Sequence, residues 1–124
     1  MIVHVDTSAL IDAVAGERRG YERLAALVQG DHRIAISTIA LYEWLRGPRT
    51  ERELMSQTEL LPPEAVVTFG RQAAERAAML YRSVRRPRGR DLDLAIAACA
   101  IEHDATLWTA NTRDFDDIPG LRLL

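Results

Sequence analysis

Apolar positions along the chain alternate between short β-branched runs and helical spacing. Ile2 to Val5 reads as a strand, and it ends at Asp6-Thr7-Ser8, three residue types that favour helix N-caps. Leu10, Ile11 and Val14 then follow at helical intervals, and a second helix is predicted from Tyr21 to Gln29, closed by the Gly30-Asp31 turn. Arg33 to Ile36 predicts the next strand. Ser37 or Thr38 caps a helix through Ile39, Leu41, Tyr42, Trp44 and Leu45, which Gly47-Pro48 stops. A polar helix from Thr50 to Thr58 is broken by Leu61-Pro62-Pro63, and a strand is expected at Ala65 to Phe69. A longer helix spans Arg71 to Val84. After a basic loop, Arg85 to Arg90, Asp91 is expected to cap a helix dense in small apolar residues, Leu92 to Ile101. Strands at Thr106 to Thr109 and Leu121 to Leu124 are separated by a polar loop and the Pro119-Gly120 turn.

Strands that alternate with helices imply an α/β fold: a mainly parallel central sheet, connected right-handedly, with helices on both faces in three α/β/α layers. The 124 residues suffice for one such unit, so a single domain over residues 1–124 is expected. Ligands of these sheets bind beyond the carboxyl ends of the strands. Asp6 ends the first strand, and Asn111 and Asp114 follow the strand at Thr106 to Thr109, so acidic groups are expected to converge on that edge.

Composition removes several classes of function. The chain is 48% hydrophobic and 27% charged, which excludes disordered and fibrous structure. Its longest apolar run, Leu94 to Ile101, is less than half of the roughly 20 residues a membrane-spanning helix needs. No basic-then-apolar leader opens it, so a cytoplasmic location and no membrane partner are expected. A lone cysteine, Cys99, and scattered histidines exclude an internal disulfide and a zinc pattern. All 16 basic residues are arginines. Phosphate-loop, Schiff-base, receiver and haloacid-dehalogenase-type chemistry each typically use a lysine, and there is none.

Four carboxylates stand out by their surroundings. Asp6 ends a buried-looking strand; Glu43 lies within Ile39-Ala40-Leu41-Tyr42-Glu43-Trp44-Leu45; Asp93 precedes the apolar run; Asp114 lies in Asn111-Thr112-Arg113-Asp114-Phe115. Three have a plainer reading: Asp6 as an N-cap, Glu43 as a partner of Arg46, Asp114 as an ordinary loop residue. Asp116 and Asp117 are expected to be solvated. Carboxylates gathered at one edge repel each other unless a cation compensates, and oxygen-only ligands favour a hard ion, Mg²⁺ or Mn²⁺. Asp6 and Asp93 are the primary candidate ligands, with Glu43 and Asp114 as further or water-mediated ones. Such an ion polarises a phosphodiester and activates water, leaving 5′-phosphate and 3′-hydroxyl ends. Thr7, Ser8, Thr109 and Asn111 are candidates for holding the carboxylates or their waters. Arg82, Arg85, Arg86, Arg88 and Arg90 place five positive charges in nine residues, a solvated face or a grip on a nucleic-acid backbone. Arg46, Arg49 and Arg52 form a weaker candidate, and Trp44 and Trp108 are expected in the core.

Four segments together resemble the PIN-domain family, and more narrowly its VapC-type toxins of bacterial VapBC toxin–antitoxin modules. They are Asp6-Thr7-Ser8-Ala9-Leu10-Ile11, Tyr42-Glu43-Trp44-Leu45-Arg46-Gly47, Asp93-Leu94-Ala95-Ile96-Ala97-Ala98-Cys99-Ala100, and Thr109 to Phe115 followed by Ile118-Pro119-Gly120-Leu121. The resemblance implies a Mg²⁺- or Mn²⁺-dependent endoribonuclease that halts translation by cutting RNA of the tRNA or ribosomal class. It places Asp6, Glu43 and Asp93 on the family's three core acids. Asn111 stands where some relatives carry Asp, so the fourth role falls to Asp114 or passes to Asn111, Asp116 or Asp117. The resemblance also implies a homodimer and a small VapB-type antitoxin that covers the acidic pocket. A PIN nuclease of RNA processing or DNA cleavage, or an inactive PIN-fold binding module, are the competing readings.

Overall fold

The computed structural model describes residues 1–16 and 18–124. In chain order it contains β1 (Ile2–Val5), α1 (Thr7–Val14), α2 (Arg18–Gln29), β2 (Arg33–Ser37), α3 (Thr38–Arg46), α4 (Glu51–Leu60), β3 (Val66–Val67), α5 (Arg71–Ser83), α6 (Asp91–Glu102), β4 (Thr106–Trp108) and β5 (Arg122–Leu123). The sheet is parallel throughout in the order β3-β2-β1-β4-β5, flanked by the six helices. The expected α/β/α architecture is therefore the observed one.

The strand order carries the first functional consequence. The chain leaves β1 towards β2 and β3, and later leaves β4 towards β5, in the opposite direction. Ligand crevices of open parallel sheets form at such a reversal, outside the strand carboxyl ends. Here it lies between β1 and β4, and the Asp6 N–H extends their pairing by donating to the Trp108 carbonyl at 2.8 Å.

Burial explains why α6 lacks a polar stripe. Leu94 to Ala100 are all buried, because α6 packs against α5 and α3 on one side and β2 and β4 on the other. Trp44 and Trp108 are core residues as expected, 0% and 5% exposed.

Boundaries shift for identifiable reasons. Pro63 to Ala65 coil into a 3₁₀ turn, which shortens the strand expected at Ala65 to Phe69 to Val66–Val67. Asp91 is not the cap of α6: Arg90 occupies that position with no side-chain cap bond, and Asp91 and Asp93 both fall in the first turn, where acids suit the helix dipole. The polar loop after β4 includes a 3₁₀ turn, Thr112–Asp114.

Candidate active site

Asp6 stands immediately after β1, in the N-cap position of α1, yet its side chain makes no capping bond. The carboxylate turns instead toward β4. Its Oδ2 accepts from the Ser8 hydroxyl at 2.7 Å and from the Thr109 hydroxyl at 2.8 Å. Each hydroxyl has one hydrogen, so the 3.1 Å approach of Ser8 Oγ to Thr109 Oγ1 is a contact between two oxygens already committed to Asp6. Their lone pairs are used as well: Ser8 Oγ accepts from the Ala110 N–H and Thr109 Oγ1 from the Asn111 N–H, both at 3.0 Å. This relay fixes Asp6, which is only 4% exposed, and leaves Oδ1 without a protein donor among the described residues.

Glu43 approaches from α3. Ser37 caps that helix by accepting from the Ala40 N–H, which sets its start just past β2. Thr7 bridges the two elements, its hydroxyl lying 3.1 Å from the Ala40 carbonyl and 3.2 Å from Glu43 Oε1. Arg46 reaches Glu43 Oε2 at 3.5 Å, so the plainer pairing is present on the outer oxygen while Thr7 holds the inner one.

Asp93 is the most perturbed acid. Burial in the first turn of α6, then repulsion from Asp6, Asp114 and Glu43, pushes its carboxyl up to about 6, against a smaller opposing pull from Arg90. The other three sequence-predicted acids, Asp6, Glu43 and Asp114, thus lie within reach of the Asp93 charge. Asp114 itself is exposed, at the end of the 3₁₀ turn.

Arg90 was expected on a solvated face or in a grip on nucleic acid, and the structure pairs it with Asp117. Its guanidinium grips Asp117 with two bonds, 2.6 and 2.9 Å, and donates to the Asp114 carbonyl at 2.9 Å. The pairing raises the arginine's affinity for its proton and holds the Asp117 carboxyl below its usual range. Asp117 is thus a partner rather than merely solvated, and the pair anchors the loop bearing Asp114 to the start of α6. Gly89 makes the turn possible: its φ of +77° lets the Arg90 N–H reach the Pro87 carbonyl at 3.1 Å. Nothing in the local pattern marked Arg90 and Asp117, 27 residues apart, as a pair. Arg85, Arg86 and Arg88 are exposed and have no ion-pair partner among the described residues. Arg49 is spent on Trp44, stacked 4.1 Å from its ring and bonded to its carbonyl.

The PIN domain family model matches residues 3–121. The chain belongs to the PIN-domain family. Within the family it falls among the VapC ribonuclease toxins, being 34% identical to ribonuclease VapC19 of Mycobacterium tuberculosis over 95% of each chain. The fold is similar to VapBC2 from Rickettsia felis, bound there to promoter DNA, with TM-score 0.80, 27% identity, and 100% and 98% of the two chains covered. It is also similar to a toxin–antitoxin complex from Klebsiella pneumoniae, with TM-score 0.74, 29% identity, and 96% and 94% covered.

The family implies a divalent cation, and the donor chemistry of this PIN domain fits one. The candidate ligands are all oxygens, Asp6 has a free oxygen, and Asp93 sits in a field of three other carboxylates. Among the described residues no three His, Cys, Asp or Glu side chains close into a ready cage. The fit is therefore to a hard ion that keeps several waters, as Mg²⁺ does. No helix among the described residues is long and apolar enough to cross a membrane.

Proposed function

We propose that this PIN domain is a metal-dependent endoribonuclease, the toxin of a VapBC-type module, cutting RNA of the tRNA or ribosomal class and so inhibiting translation. The observation that carries the reading is the fixed Asp6 carboxylate within charge range of an Asp93 whose proton affinity is raised by burial first, and then by Asp6, Asp114 and Glu43. A charge-dense pocket of this kind at a strand-order reversal is costly to fold unless a ligand repays it.

Asp6 and Asp93 would hold Mg²⁺ or Mn²⁺, with Glu43 and Asp114 as further or water-mediated ligands. When bound, the cation supplies charge neutralisation for the phosphodiester and an activated water. The chain's own groups do the rest. Ser8 and Thr109 keep the Asp6 carboxylate aimed, because both donate to its Oδ2 and are themselves held by the Ala110 and Asn111 N–H groups. Thr7 holds Glu43 at the inner side of the pocket. Asn111 contributes its backbone N–H to the relay through Thr109, rather than a ligand of its own. Arg85, Arg86 and Arg88, on the loop before α6 and without ion-pair partners among the described residues, meet the RNA backbone.

The structural likeness to VapBC assemblies supports a VapB-type antitoxin as partner. Tyr42 and Leu45, 56% and 53% exposed on either side of Glu43 in α3, supply apolar surface for such a chain beside the pocket. A homodimer and a cytoplasmic location complete the proposal.

Incubating the antitoxin-free protein with total bacterial RNA in Mg²⁺, Mn²⁺ or EDTA tests it, with product ends mapped. Metal-dependent cuts that leave 5′-phosphates and vanish in Asp6→Ala are expected. A folded protein that cuts nothing under either metal, or cuts equally in EDTA, overturns the enzymatic reading and leaves a binding module.

A further inference from the structure

A cavity of about 570 Å³ opens beside the acidic pocket, walled by Asp12, Arg23, Trp108, Thr109 and Ala110. It shares a wall with the catalytic relay, since Thr109 donates to Asp6 and the Ala110 N–H donates to Ser8. Its volume is within the usual range for small-molecule sites.

The cavity is built by a close approach of two helices. A Cβ on Gly20 would lie 2.8 Å from the Asp12 backbone, so only glycine lets α2 come this near α1. One turn further along α2, Arg23 lies with its guanidinium 5.7 Å from the Trp108 ring centroid. Asp12 and Arg23 therefore face one cavity with opposite charges, and among the described residues they form no ion pair, with each other or with any third group. A carboxylate offers two acceptors side by side, a guanidinium two donors side by side.

One nucleobase matches both groups at once. Guanine presents two adjacent donors, N1–H and the 2-amino group, and on its other edge two adjacent acceptors, O6 and N7. Adenine, cytosine and uracil each present a single donor to a carboxylate. Resting on the ribonuclease reading above, we propose that this cavity is the subsite that reads a guanine base next to the bond that is cut. Asp12 accepts from N1–H and the 2-amino group, Arg23 donates to O6 and N7, and Trp108 backs the base. Single-stranded RNA is read in this manner, with splayed-out bases bonded along their edges.

Nucleotide binding in EDTA, where the proposed nuclease is silent, tests the subsite apart from catalysis. Titrations of the whole protein with GMP, IMP, 7-deaza-GMP, AMP, CMP and UMP, followed by NMR, are expected to rank GMP first. Loss of the 2-amino group in IMP or of N7 in the deaza analogue should each weaken binding about tenfold, the usual effect of one hydrogen bond to a charged group. Asp12→Asn and Arg23→Gln should each weaken GMP binding at least about tenfold and leave AMP binding where it was. In mapped cleavage products, guanine should recur at one fixed position beside the cut, and Asp12→Asn should scatter that preference. Equal binding of AMP and GMP, or GMP binding indifferent to both substitutions, overturns the subsite. Cuts with no guanine preference overturn it while the nuclease stands; selective GMP binding without RNA cleavage keeps it and removes the nuclease.

Discussion

β1 and α6 each contribute to two clusters of like ionisable groups, and the two clusters resolve the same problem in opposite ways. β1 carries His4 and delivers Asp6; α6 opens with Asp93 and is followed by His103. Burial, reinforced by the neighbouring like group, drives both toward neutrality: Asp93 is pushed up to about 6 and His4 down to about 4. His4 is 1% exposed, its Nε2 lies 2.6 Å from His103 Nδ1, and its own Nδ1 is buried with no partner. A proton added there would have nothing to donate to, so His4 stays neutral and shares one hydrogen bond with His103. The acids lie at the strand edge, Asp93 half-buried and Asp114 exposed, with Ser8 and Thr109 donating to Asp6. Like charges in a sealed interior are settled by a proton; at a solvated strand edge they remain as demand for a cation.

The comparison breaks most sharply on catalysis. Asp6→Ala is expected to lower RNA cleavage by at least about a thousandfold, as removal of a central catalytic group does, with the fold retained by circular dichroism. His4→Gln is expected to cut RNA at the parent rate, and a large loss there would erase the distinction.

Stability against pH separates the clusters next. His4 takes up its proton in the unfolded chain near 6.5 but only near 4 when folded, so stability falls as pH drops through that window and is fully present above it. The total is about 3 kcal/mol from the size of the shift, and His4→Gln should flatten this acid limb in urea titrations. A limb of unchanged slope would move the acid sensitivity elsewhere.

The loop clamp sharpens the acidic side. Arg90→Ala and Asp117→Ala are expected to reduce cleavage alike, by about tenfold, and to be non-additive together, because each frees the same loop. Exchanging the two residues should recover part of the loss. Arg85→Gln with Arg86→Gln should instead lower the salt dependence of RNA affinity by about two units, while Arg90→Ala leaves it as it is. A flatter salt slope in Arg90→Ala would return that residue to the RNA.

The smallest effect concerns Asp93. Its folded carboxyl titrates near 6 rather than 3.8, so the folded state is penalised as pH rises through that window and remains so above it. Without divalent cation, Asp93→Asn should therefore stabilise the protein above pH 6 by about 1–2 kcal/mol, less than the shift alone implies because the pocket is partly solvated. The gain should vanish near pH 4 and shrink when Mn²⁺ is added. Destabilisation at pH 7.5 would contradict the repulsion assigned to these acids.

Much of this was readable along the chain, because it depends on local rules. Alternating strands and helices implied the parallel sheet, the Gly47-Pro48 stop fell where expected, and an acid amid apolar neighbours marked Glu43 and Asp93. Arg90 could not be read correctly. Five arginines in nine residues look alike in sequence, and only Asp117, brought across from 27 residues away, distinguishes the one that is locked in place. The cap of α6 was misplaced for the same reason, since the arginine that pairs with Asp117 holds the position a local rule assigns to Asp91.

By itself the sequence determined which elements form, which face of each is apolar, and which carboxylates stand where solvation is poor, because periodicity, capping and burial cost act over a few residues. Only the tertiary structure decided which oxygen of Asp6 lacks a donor among the described residues, that Thr109 rather than a helix cap holds its carboxylate, and that Asp12 and Arg23 face one cavity with no ion-pair partner among those residues. Those outcomes depend on contacts between residues far apart in the chain, and hydrogen-bond direction and ångström-scale distance are set there by packing that no local pattern encodes.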